Sequence, residues 1–105
     1  MAARAFITGL SGLTITAEER AFLRALGGCV RVVRLDQGLS QEQLAETSGV
    51  SRQFVSQVER GSHAPNVVNL LRVAAALRVP LAVLLDEAAD PSPVASDRPG
   101  TVTGR

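Results

Sequence analysis

From Thr16 onward, apolar residues return every three or four positions, and short polar or glycine-bearing breaks cut this pattern into five stretches. Phe22, Leu26, Val30 and Val33 mark the first, within AEERAFLRALGGCVRVVRLDQG, and Thr16 with Glu19 three positions on can form the reciprocal capping box that opens a helix. The same device recurs at Ser40 with Gln43 and predicts a second helix over residues 41–48, stopped by Gly49. Ser51 caps a third over 52–60 that Gly61 ends. Only Gly49, Val50 and Ser51 lie between the second and third helices, which forces them to cross steeply. Asn66 can cap a fourth helix, with Val67, Leu70, Leu71, Ala74 and Leu77 as its apolar stripe, and a fifth begins near Pro80 with PLAVLLDEA. Residues 1–15 carry Phe6, Ile7, Leu10 and Leu13 among Gly, Ser and Thr without a clear period, which predicts an arm. From residue 89 the chain has little to bury, and DPSPVASDRPGTVTGR predicts a disordered tail after a domain spanning 16–88. The adjacent Gly27 and Gly28 inside the first helix mark either a close approach by another backbone or a weak point in a long helix.

A chain of 105 residues with 46% hydrophobic content makes one small domain. Three Phe and no Trp or Tyr leave the core to Leu, Val and Ala, which favours packed helices, so the expected fold class is all-α. The net charge of +1 is too balanced for indiscriminate polyanion binding, and any basic surface must be local. With one Cys and one His, neither an internal disulfide nor a zinc cluster is expected, and no nucleophile, base and orienter assemble on one face. No enzyme activity, metal or cofactor is expected. No apolar run approaches the roughly 20 residues that span a bilayer, and MAARAFITGLSGLTIT lacks a signal peptide's apolar core, so the expected place is the cytoplasm, away from any membrane.

The functional signal lies in the second and third helices. Leu44, Val50, Val55 and Val58 point to one interior, Ala45 is small where two helices cross, and Gly49 can take positive φ in the turn. These are the constraints of a helix-turn-helix. The stretch LSQEQLAETSGVSRQFVSQVERG resembles the helix-turn-helix of phage-repressor and Cro-type regulators, the XRE family. VRVVR before it and APNVVNLLRVAAALRVPLAVLL after it resemble that family's first, fourth and fifth helices, so the likeness runs over about residues 24–86. It implies a compact five-helix fold of the lambda-repressor type, with the motif at 41–60. Ser48 departs from the pattern, which usually has a small apolar residue there.

In a helix of this type the N-terminal side chains meet base edges in the major groove. Arg52, Gln53 and Gln57 are the expected readers, since Arg can grip guanine O6 and N7 and Gln adenine N6 and N7. Outside such a motif the same polar face would read as a solvated surface. Ser51 and Ser56 are candidates for cap and backbone contact, and Phe54 for core packing or a thymine methyl. The resemblance implies a phosphate contact for Gln41, flank contacts for Arg60, Ser62 and His63, and a structural ion pair between Arg34 and Glu59. One such helix covers too few base pairs for genomic specificity, so a homodimer is expected, with Val79, Leu81, Val83, Leu84 and Leu85 as its surface. The expected function is a transcriptional regulator, a repressor or a restriction-modification controller protein, on a pseudo-palindromic double-stranded DNA operator. The alternatives are a DNA-binding antitoxin whose arm or tail meets a protein partner, and an interaction module that keeps only the fold.

Overall fold

The computed structural model describes residues 14–90. The expected arm and tail therefore lie almost wholly outside the described residues. Five helices form within them: α1 Ala17–Asp36, α2 Gln41–Ser48, α3 Arg52–Arg60, α4 Val67–Leu77 and α5 Leu81–Ala89. There is no strand among the described residues.

Each of the first four helices starts on a side-chain cap. Thr16 Oγ1 accepts the Glu19 amide at 3.0 Å while Glu19 Oε1 accepts the Thr16 amide at 3.0 Å. Ser40 and Gln43 repeat the box at 3.0 and 2.8 Å. Ser51 Oγ and Asn66 Oδ1 accept the amides three positions on, each at 3.0 Å. Such caps contribute about 1 kcal/mol each by satisfying amides the helix leaves unpaired. Gly49 closes α2 at φ 78, where a side chain would be strained. Arg78 closes α4 in the same left-handed region at φ 62, and among the described residues it is the one non-glycine to do so.

The core joins Leu26 and Val30 of α1, Leu44 of α2, Val55 and Val58 of α3, Leu70, Val73 and Leu77 of α4, and Leu84 of α5. α1 lies against α3 and α5, while α2 lies against α3 and α4. Gly27 sits where α1 meets the end of α3: a Cβ there would fall on the Val58 carbonyl oxygen and 2.6 Å from that of Glu59. Gly28 faces open space. The close approach therefore belongs to Gly27 alone. Ser48 is buried with its hydroxyl satisfied, because it donates back to the Leu44 carbonyl at 2.6 Å.

One expectation needs correcting. Leu84, assigned to a dimer surface, is 2% exposed and belongs to this molecule's own core, because α5 folds back across α1 and turns that side chain inward. Val79, Leu81 and Leu85 are half-buried against the same core. The exposed large apolar residues of the last two helices are Val67, Val68, Leu71 and Val83. Among the described residues no single helix is long and apolar enough to cross a membrane, and α4 and α5 meet at a 106° bend. Cys29 is half-buried beside α5, where burial first and then the charge of Glu87 push its thiol pKa upward.

Candidate nucleic-acid interface

α3 divides its residues sharply. Val55 and Val58 are buried, whereas Arg52, Gln53 and Arg60 are exposed and Phe54, Ser56, Gln57 and Glu59 are half-buried. Of the three expected readers, Arg52 and Gln53 thus stand at the open N-terminal end of the helix, and Gln57 keeps part of its surface. Ser51 Oγ accepts the Phe54 amide as the cap, and its O–H remains exposed and able to donate. Ser56 accepts from Arg60 Nη1 at 2.8 Å, which holds that guanidinium along the helix. Beyond α3, the Ser62 hydroxyl lies 3.4 Å from the Gln57 carbonyl and 3.1 Å from His63 Nδ1, so these flank residues are linked to the end of the helix. A small cleft of about 140 Å³ separates α3 from this loop, with Phe54, Gln57, His63 and Pro65 on its walls.

Beneath the helix, Arg34 and Glu59 form a bidentate pair. Arg34 Nε donates to Glu59 Oε2 at 2.6 Å and Nη2 to Oε1 at 3.0 Å, with the side chains 8% and 3% exposed. The remaining arm of the guanidinium, Nη1, donates to the Leu39 carbonyl at 2.7 Å, so the α1–α2 turn is held by the same group. The hydrogen bond to Glu59 pushes the Arg34 pKa further up, and burial opposes it. Both charges are compensated, which is the condition under which a buried pair is tolerated.

The pair does not end there. Glu59 Oε1 also accepts from Gln41 Nε2 at 3.0 Å, and Gln41 Oε1 accepts from Arg52 Nη1 at 3.3 Å. A carboxylate can only accept, so the Gln41 amide must present its nitrogen to Glu59 and its oxygen to Arg52. The result is a relay from the buried Arg34 to the exposed Arg52. Reasoning from sequence placed Gln41 at a phosphate and treated Arg34 and Glu59 as a separate pair. The bridge that joins them, and the Leu39 carbonyl, had no signal in spacing or composition.

A short helix with polar side chains at its free end, set by a three-residue turn on a second short helix, is the helix-turn-helix arrangement. The sequence pattern that defines this family, HTH_3, matches residues 30–84. The chain belongs to the helix-turn-helix family. Among its relatives, the HTH-type transcriptional regulator SlrR of Bacillus subtilis is 44% identical over 62 residues, covering 58% of this chain and 41% of that protein. An uncharacterised HTH-type transcriptional regulator of Mycobacterium tuberculosis is 40% identical over 79 residues, covering 73% of this chain and 56% of that one. The chain thus spans about half the length of the curated relatives it matches. Among solved structures, the restriction-modification controller protein C.AhdI of Aeromonas hydrophila is 42% identical with a TM-score of 0.57, covering 59% of this chain and 94% of that chain. The clp gene regulator ClgR of Corynebacterium glutamicum is 35% identical with a TM-score of 0.63, covering 71% and 80%.

Proposed function

We propose that this chain is a sequence-specific transcriptional regulator that inserts α3 into the major groove of duplex DNA and acts as a homodimer on a pseudo-palindromic operator. Its main support is the relay that ends on Arg52. A guanidinium held in place before contact loses less freedom when it grips guanine O6 and N7. Gln53, exposed beside it, carries the amide that pairs with adenine, and Gln57 follows one turn further along. Arg60, Ser62 and His63 supply backbone contacts on one flank, and Gln41 retains a second N–H for a phosphate on the other. The names of SlrR and C.AhdI, a transcriptional regulator and a controller protein, favour control of transcription as the outcome.

The homodimer is supported by the apolar surface that α5 leaves open, since Val83 is 46% exposed and Val79, Leu81 and Leu85 are only half-buried. Selection of bound sites from random duplexes tests both levels. An inverted repeat with half-sites about 34 Å apart is expected. Single half-sites would overturn the dimer, and no enrichment at all would overturn DNA reading.

A further inference from the structure

A groove of about 380 Å³ opens at the start of α1, lined by Ile15, Glu18, Glu19, Phe22, Leu23 and Ala64. Its walls are mostly apolar, and Leu23 among them is 8% exposed. Nothing in the DNA-reading surface uses it. Ala64, however, follows His63 directly, so the groove joins the entry of α1 to the loop after α3.

We propose that this groove is the docking site for the chain's own residues 1–13, with Phe6 and Ile7 as the anchoring side chains. Three observations select this occupant. The segment is joined almost directly to the groove, because Ile15 is itself part of the wall and only Thr14 separates it from residue 13. From Phe6 to Ile15 the chain can span about 30 Å at roughly 3.3 Å per residue, and Gly9 and Gly12 let it turn back on itself with slack to spare. Its composition also fits: MAARAFITGLSGL holds Phe6, Ile7, Leu10 and Leu13 for an apolar slot, and its one charged side chain, Arg4, complements the carboxylates of Glu18 and Glu19 at the rim. A tethered segment also meets the groove at an effective concentration on the order of millimolar, which a separate molecule would have to exceed.

Docking would brace the loop that carries Ser62 and His63. That consequence rests on the proposed DNA reading; the docking itself does not.

In the full chain, nuclear Overhauser contacts from the Phe6 ring to the Leu23 and Ala64 methyls are expected. Their absence overturns the proposal, and contacts seen only between labelled and unlabelled copies in a mixed sample show a swapped segment and overturn it equally. The double variant Phe6→Ser, Ile7→Ser leaves every core side chain in place and should lower Tm by about 4 to 8 °C, whereas an unchanged Tm counts against docking. The two ideas separate cleanly: contacts in a protein that selects no duplex sink DNA reading alone, and selected duplexes without contacts sink the docking alone.

Discussion

Helices α3 and α5 have the same length, nine residues each, and both lie against α1. Each buries two side chains, Val55 and Val58 in one and Leu84 and Ala88 in the other. They differ in what they turn outward. α3 starts on the Ser51 cap and exposes Arg52, Gln53 and Arg60, while α5 starts at Pro80 without a side-chain cap and exposes Ala82, Val83, Asp86 and Glu87. Similar anchoring thus carries opposite surfaces. Because the outward face contributes little to folding, its chemistry is free to differ: polar hydrogen-bonding side chains on α3, and on α5 an apolar side chain one turn from the carboxylates of Asp86 and Glu87, which would repel phosphate.

The sharpest way to break the comparison is at the buried side of α5. Leu84→Asp places an unpaired carboxylate in the core and should lose about 4 to 5 kcal/mol by urea denaturation, enough to unfold much of the protein. Val83→Asp, one position earlier, should stay within about 0.5 kcal/mol of the parent while shifting a dimer toward monomer in sedimentation. On α3, Glu59→Ala strands the Arg34 guanidinium and releases Gln41, with an expected loss of about 3 to 5 kcal/mol by the same measurement. Arg52→Ala should leave stability within about 0.5 kcal/mol but weaken binding to a selected duplex about 5- to 150-fold in a titration. Equal losses in stability and affinity would show that Arg52 serves the fold. One substitution should give a modest gain: Arg78→Gly relieves the left-handed residue between α4 and α5 and should raise stability by about 0.5 to 1 kcal/mol, read as a higher Tm.

Several features were legible residue by residue. The capping boxes at Thr16 and Ser40, the left-handed stop at Gly49 and the outward Arg52 and Gln53 all follow from chemistry within one helical turn. The pairing of Arg34 with Glu59 was legible only through the family likeness, since 25 positions separate them. Leu84 was misplaced for a related reason. PLAVLLDEA is apolar around most of its circumference, so its periodicity does not say which side meets α1.

Helix beginnings and ends are written in the order of residues, because each depends on neighbours three or four positions away. Three-dimensional packing settled the rest: that Gly27 and not Gly28 touches the backbone of α3, that α5 turns Leu84 inward, and that Gln41 bridges 18 positions to Glu59 and 11 to Arg52. Such contacts depend on how whole helices approach one another, and no local pattern encodes that distance or angle.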